Sequence, residues 1–328
     1  MTTRKMRCFY HNDEDGEACA VIVSKHTGVT DPEAYVAVDY VKPLPIEGIT
    51  SGFTVWLVDY SITEVTLHYL ERLLQIGCEL IWIDHHASSI KLENEYKELK
   101  DIKGVRSKSS TTSGYSAAVL TYFYCYNTTT FVDVPAFIRL ISDYDCWQYQ
   151  YGSLTNNFKN GIGTRNHTNI FDSVWDELWN SDHINRHTPF SASLTNKLIE
   201  IGKPVGDFVT YENTKYRNEF AYESVIKGYP CLVVNKRSNS WIFGDMIAEY
   251  PIVVTWVFNG KYYSYSLFST NPEIDCSLIA ESFGGGGHPG AAGFKSKKML
   301  FKCVANREGF LPKAIMLNIY NKCFKKEK

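Results

Sequence analysis

With 328 residues, 34 Lys+Arg against 36 Asp+Glu and a formal net charge of −2, the chain has room for two domains and lacks the basic excess of proteins that live on long duplex nucleic acid. Hydrophobic content of 44% and charged content of 21% are those of a folded globular protein, and no apolar run approaches the ~18 residues of a membrane span. Nine cysteines without a C-x-x-C pair make neither a disulfide framework nor a zinc site; with no signal-peptide core in MTTRKMRCFY, free thiols in the cytoplasm (the host's, if the protein is viral) are expected.

Met6–Tyr10 is a short apolar run that predicts a strand, followed by a helix over Glu17–Lys25. Val55–Val58 and Leu80–Ile83 predict two more strands, with a helix over Glu64–Gln75 between them. Helices are then expected over Ser113–Tyr126 and Pro135–Ile141. Strands alternating with helices imply an α/β fold with a doubly wound parallel sheet. From Ser191 to about Phe220 the pattern is polar and helical, a connecting helix. Beyond it, Pro230–Asn235, Ile252–Asn259 and Tyr262–Ser269 read as strands, with Gly260-Lys261 marking a hairpin. A helix at Ser277–Ser282 and the run Gly284–Gly287 follow. The boundary falls near residue 210, giving a first domain of residues 1–210 and a smaller α/β domain of residues 211–328. Between Lys295 and Lys328 ten Lys/Arg face only Glu308 and Glu327, a basic surface for phosphates or a solvated tail.

Three of the apolar strands run into metal-binding side chains. Met6–Tyr10 leads to His11, Asp13 and Asp15; Val55–Val58 ends at Asp59; Leu80–Ile83 ends at Asp84-His85-His86. In open parallel sheets ligands gather outside the carboxyl ends of the strands, so neighbouring strands would converge these groups. A single Asp after a strand more often caps a helix or makes a turn, but turns do not explain three such strand ends together. Clustered carboxylates repel unless neutralised, and a mix of carboxylate and imidazole suits Mn²⁺ or Mg²⁺. Two such ions clamp a phosphoryl group and activate a water. In the glycine run Gly284-Gly285-Gly286-Gly287-His288, the absence of Cβ atoms allows an anion nest for phosphate, with His288 as a donor, or close backbone packing. Arg106, before the Ser/Thr-rich stretch Ser107–Ser113, is a candidate phosphate grip, while the hydroxyls are candidate helix caps.

In order, His11-Asn12-Asp13-Glu14-Asp15-Gly16, Val58-Asp59-Tyr60-Ser61, Asp84-His85-His86, Ile141-Ser142-Asp143-Tyr144-Asp145 and the Gly284–His288 loop resemble the motifs of the DHH phosphoesterase family, in the branch with a C-terminal DHHA1 domain. The resemblance, to nanoRNase/oligoribonuclease-type and RecJ-like phosphodiesterases, covers nearly the whole chain. It implies a catalytic DHH domain, a DHHA1 substrate domain and two Mn²⁺ ions, with Mg²⁺ an alternative. Asp13 and Asp59 would hold one ion, and Asp15, Asp59, His85 and Asp143 the other. His86 would face the substrate phosphate and Asp84 would orient the histidines. Gly285, Gly286, Gly287 and His288 would contact substrate from the second domain. Two departures stand out. Many relatives have a metal-binding histidine four residues before the first aspartate, where this chain has Phe9, with His11 as a displaced ligand candidate. Phe268 stands where short-RNA-degrading relatives carry a phosphate-gripping arginine; it would stack on a base or pack in the core. The expected function is hydrolysis of short oligonucleotides or small nucleotide second messengers to mononucleotides. A single-strand exonuclease, a pyro- or polyphosphatase and a non-catalytic nucleotide-binding module are the alternatives. Long duplexes and membranes are not expected partners, and a homodimer stays open.

Overall fold

The computed structural model of the chain describes residues 5–40, 42–107, 114–184 and 193–301. The first unit begins with β1 (Met6–His11), α1 (Glu14–Thr27), β2 (Tyr35–Val38), β3 (Thr54–Val58), α2 (Leu67–Ile76), β4 (Glu79–Ile83) and α3 (Ala87–Glu95). It continues with α4 (Ala117–Tyr126), α5 (Ala136–Asp145), α6 (Ser153–Ile162), α7 (Ser173–Trp179) and the start of α8 (Leu194–Phe220). The strands form one parallel sheet in the order β2-β1-β3-β4. Alternate side chains leave opposite faces of a strand, and here both faces are apolar. Cys8, Tyr10, Trp56, Val58, Ile81 and Ile83 pack with buried residues of α1, α4 and α5, while Phe9, Val55, Leu57, Leu80 and Trp82 pack with Leu70 and Leu73 of α2 and Leu92 of α3. Burial on both faces is why β3 is apolar at every position but its first, and it defines the expected doubly wound α/β class.

Local chemistry sets the boundaries. Asp13 caps α1 by accepting from the Gly16 amide, and Gly28, in the left-handed region at φ 70°, ends it. The helix expected from Glu64 starts later, at Leu67, because the Thr66 hydroxyl accepts from the Thr63 amide and closes a turn there. The four-residue β2 and the weakly amphipathic α3 carry too little periodicity to be read from sequence, and α6 and α7 lie outside the expected elements. Of the Ser/Thr stretch Ser107–Ser113, residues 108–113 lie outside the described residues, as do residues 302–328 of the basic stretch.

The chain divides into two compact units, 1–206 and 207–328, and the division falls inside α8. The second unit holds β5 (Tyr222–Ile226), β6 (Tyr229–Val234), β7 (Ile252–Phe258), β8 (Tyr263–Phe268), α9 (Cys276–Glu281), β9 (Gly286–His288) and β10 (Ala291–Ser296). Its sheet runs β5-β6-β7-β8-β10-β9, antiparallel except for the parallel β6–β7 pair. The hairpin expected at Gly260-Lys261 joins β7 to β8. The glycine run forms an edge hairpin, β9 on β10, and its constraint is strand packing. A Cβ on Gly285 would lie 2.1 Å from the Gly293 carbonyl oxygen, and one on Gly287, at φ 145°, 2.6 Å from Ala292 Cα. Phe268 is buried against Leu232, Val234 and Phe243, so its ring packs in the core and is not a base platform.

Arg106 also departs from expectation. Its side chain is 4% exposed, with Nη2 2.5 Å and Nε 2.9 Å from Glu93 Oε1. Nη1 donates to the carbonyls of Trp82 (3.0 Å) and Ile102 (3.1 Å), and the guanidinium lies 5.2 Å from the Trp82 ring centroid. Arg106 therefore ties α3 and the strand-like segment beside β4 to the sheet, and every part of its fork is occupied within the fold. Replacement by methionine leaves Glu93 without its cation, so Arg106→Met is expected to cost about 3–5 kcal/mol in urea unfolding with substrate affinity unchanged. A raised KM at unchanged stability would return Arg106 to the substrate.

Candidate metal centre

The order β2-β1-β3-β4 places a switch in chain direction between β1 and β3, where open parallel sheets bind ligands. β1 delivers His11 there. The next residue, Asn12, is tied to β2 by its amide on the Val38 carbonyl (3.1 Å). Gly16 lets the first turn of α1 tuck against the strand end: a Cβ would stand 2.1 Å from the His11 carbonyl oxygen. Asp13 serves two purposes at once. Its Oδ1 accepts from the Gly16 amide at 3.0 Å, and its Oδ2 lies 2.6 Å from His11 Nδ1. Asp15, 2% exposed, accepts from the Ala118 amide at the start of α4 (3.3 Å).

β3 delivers Asp59, 1% exposed and held at φ 54°, a left-handed conformation that costs a non-glycine residue about 1–3 kcal/mol. Its amide donates to the Ile83 carbonyl at 3.0 Å, which ties it to β4. Its two oxygens face different partners. Oδ2 is 3.8 Å from His11 Nδ1, whereas Oδ1 is 3.3 Å from His85 Nε2 and 4.0 Å from His86 Nδ1. Asp84, fully buried after β4, accepts from the His85 amide (2.8 Å) and lies 2.7 Å from His86 Nδ1, so it fixes the histidine pair.

The fourth motif resolves differently from the expectation. Asp143 is not at the cluster: its carboxylate accepts from the amides of Gln150 (2.8 Å) and Tyr151 (3.4 Å) and from the Thr155 hydroxyl, which fastens the start of α6. Asp145 is the residue at the cluster, its Oδ2 3.4 Å from His85 Nε2. Two residues along a helix turn the side chain by about 200°, so the two aspartates cannot share a face. Following an apolar helix did not distinguish them; helical phase would have. Cys146 stands in the same grouping as His85 and Asp145. Phe9 is fully buried in the core, and the strand carries His11 two residues further, to the rim.

The charges are strained as they stand. Burial, then the charge of Asp145, raises the Asp15 pKa to about 7; burial, then Asp13, raises Asp145 to about 7. Burial, then Asp13, Asp15 and Asp145, pushes Asp59 well above the carboxylate range. Burial opposes the Asp13 carboxylate too, but His11 and the Gly16 amide outweigh it and bring its pKa down to about 2. The histidines split. Burial disfavours the charged form of both; in His85 the neighbouring His86 adds to this and lowers its pKa, while in His86 the Asp84 carboxylate prevails and raises it to about 9.

Asp15 Oδ2, Asp59 Oδ1 and Asp145 Oδ2 are shielded from solvent and have no hydrogen-bond partner among the described residues. Buried carboxylate oxygens in that state are costly, and oxygen atoms with imidazole nitrogens are the donor set of a divalent cation. His11, Asp13 and Asp59 form one group of converging donors, and Asp59, Asp84, His85 and His86 another, with Asp59 common to both. A cavity of about 180 Å³ opens against Asp13, Asp15 and Asp145, backed by Leu140, Ile141, Phe158 and Ile162, with Lys159, ion-paired to Glu14, in its wall. Gly285, Gly286 and Gly287 belong to the second unit's hairpin, and the His288 side chain lies outside the described residues.

A known structure shares this architecture. The DHH domain of a member of a family of ribosomal proteins matches with a TM-score of 0.56 at 13% identity, over 98% of this chain and 87% of that one. At lower TM-scores stand RecJ in complex with Mn²⁺ from Thermus thermophilus (0.47, 14% identity, 97% of this chain and 52% of that one) and a pGpG-specific phosphodiesterase from Vibrio cholerae (0.46, 13% identity, 89% and 94%). No family model and no curated protein matches the sequence. The fold is that of a DHH-domain protein. Among the described residues, no helix is long and apolar enough to cross a membrane.

Asp145→Asn is expected to weaken Mn²⁺ binding by roughly tenfold or more with the melting temperature of the cation-free protein not lowered, whereas Asp143→Asn lowers stability and leaves Mn²⁺ affinity alone; calorimetry and thermal melting separate the two, and the reverse pattern would restore Asp143 as the ligand. Proton linkage gives a second check. Asp15 and Asp145, with pKa values raised to about 7, hold protons that a cation bound beside them would displace. Mn²⁺ affinity therefore rises as pH increases across neutrality, with about one proton or more released per protein at pH 7. Calorimetry in buffers of different ionisation enthalpy reads this, and a pH-independent affinity would contradict it.

Proposed function

We propose that the chain is a metal-dependent phosphodiesterase that hydrolyses short oligonucleotides or small nucleotide second messengers to mononucleotides. The carrying observation is Asp59, whose two oxygens face two separate sets of donors at the rim of the sheet. On this reading His11, Asp13 and Asp59 hold one Mn²⁺ or Mg²⁺, and Asp15, Asp59, His85 and Asp145 hold a second. Bound cations supply charge stabilisation at phosphorus and activation of a water for in-line attack.

The remaining contributions are the chain's own. His85, kept neutral, offers a lone pair; His86, kept protonated by Asp84, offers positive charge to a phosphate oxygen. Asp84 orients both, through the His85 amide and the His86 ring. The apolar backing of the adjacent cavity lowers the local dielectric and strengthens each of these interactions. Gly285, Gly286, Gly287 and His288 of the second unit are proposed substrate contacts, on the strength of the sequence resemblance, and residues 211–328 a proposed substrate domain. The near-neutral chain supports a short substrate over a long duplex.

The test is turnover by the purified chain in Mn²⁺ against dinucleotides, cyclic dinucleotides, labelled single strands and polyphosphate. Mononucleotide release from the short substrates is expected, abolished by chelator and restored by Mn²⁺. Asp59→Asn, which tolerates the left-handed backbone, should lower kcat by about 100-fold or more without unfolding the protein. Activity in excess chelator, or polyphosphate as the preferred substrate, would sink the reading.

A further inference from the structure

We propose that Tyr40 is the platform on which a nucleobase of the substrate stacks, at the edge of the metal centre; this rests on the nucleotide-phosphodiesterase reading and names the part of the substrate recognised outside the phosphate. Tyr40 lies two residues beyond β2, at the same carboxyl rim to which the neighbouring β1 delivers His11. Burying an aromatic ring is strongly favourable, yet Tyr40 keeps 50% of its surface exposed.

The ring is nonetheless held in place. Its hydroxyl oxygen accepts from the Ser61 amide at 3.0 Å. Below it lies Tyr60, 1% exposed, with ring centroids 5.0 Å apart and planes within 20°. The His11 ring is 5.2 Å away, tilted by 42°, and this is the imidazole that bonds Asp13. Tyr60 follows Asp59 directly in sequence, so the support beneath Tyr40 is anchored to the same short segment as the central carboxylate.

A fixed, exposed and metal-adjacent ring is suited to one class of ligand. Core packing does not require half of Tyr40 in water, because Tyr60 already fills the interior. A phosphate chain without bases has no flat apolar surface to lay on it. A nucleobase does, whatever its identity, and stacking on a ring that is already ordered forfeits little side-chain entropy. The position relative to His11 lets one nucleotide place its phosphate at the cluster and its base on Tyr40. Substrates with bases are thereby separated from inorganic polyphosphate without any hydrogen-bond readout of sequence.

The experiment measures binding and does not depend on turnover. Dissociation constants of a nucleoside monophosphate and of ribose 5-phosphate are compared by calorimetry in Mn²⁺ for the wild type, Tyr40→Phe, Tyr40→Leu and Tyr40→Ala. The wild type should bind the nucleotide more tightly than the base-free sugar phosphate. Tyr40→Ala should weaken nucleotide binding by roughly 5- to 150-fold and leave ribose 5-phosphate unchanged. Tyr40→Phe should retain most of the preference, and Tyr40→Leu, which keeps bulk without a π face, should lose it. Equal affinities in the wild type, or equal losses for both ligands in Tyr40→Ala and Tyr40→Leu, would overturn the assignment. Dinucleotide turnover by the wild type is followed in parallel. Base-dependent binding without turnover supports Tyr40 and rejects the hydrolytic reading; turnover with base-independent binding does the opposite.

Discussion

Asp13, Asp15, Asp59 and Asp145 reach one small region from two strand ends, the first turn of a helix and the last residue of another, and their mutual repulsion sets the terms for the rest of the site. Two like charges about 4 Å apart at an effective dielectric constant near 20 cost about 4 kcal/mol. Full ionisation of such a group without compensation would rival the ~5–15 kcal/mol that holds a typical domain together. The pKa values of about 7 for Asp15 and Asp145, and the strongly raised one of Asp59, express that conflict. Protonation relieves part of it; bound divalent cations would offset more of it and give a partner to the oxygen atoms that have none among the described residues. The fold is thus incomplete in charge at neutral pH, in the place where its strands converge.

That incompleteness is tolerable because the scaffold around it is over-determined. β3 is buried on both sides, α1 is capped at each end, and Asp59 is pinned by its amide to β4. The Asp13 carboxylate shows how little the two demands conflict: one oxygen ends a helix and the other faces the imidazole at the rim. One side chain thus serves as the helix cap and at the same time stands among the donors grouped at the rim.

This double use explains what was legible in the sequence. Apolar runs of four or five residues ending in Asp or His mark the strands β1, β3 and β4 and their rim directly, because parallel strands buried on both faces have no other pattern to show. What was illegible depends on direction or on tertiary partners. Asp143 and Asp145 differ by a rotation about a helix axis, invisible to a motif. Arg106 looks like a free cation until Glu93, from a helix that carries no strong periodicity, closes on it. The glycine run has the composition of an anion nest and the neighbours of an edge hairpin, since the contact that excludes a Cβ comes from β10, which follows it. Tyr40 follows a four-residue strand and has no signal in composition; its half exposure together with the rings of Tyr60 and His11 beside it is a tertiary feature.

The histidine pair shows that the site is polarised as well as charged. His85 and His86 are adjacent in sequence with ring centroids 4.6 Å apart, and two imidazolium ions so close would repel. Asp84 breaks the tie. By bonding His86 it makes that ring the charged one, and the charge of His86 in turn helps keep His85 neutral. One buried carboxylate therefore gives two identical side chains opposite charge states, a neutral ring facing Asp59 and Asp145 and a cation at the side of the cluster. Removing Asp84 would not simply loosen two rings. It would erase the difference between them, because the charge that distinguishes the two rings comes from this one buried carboxylate.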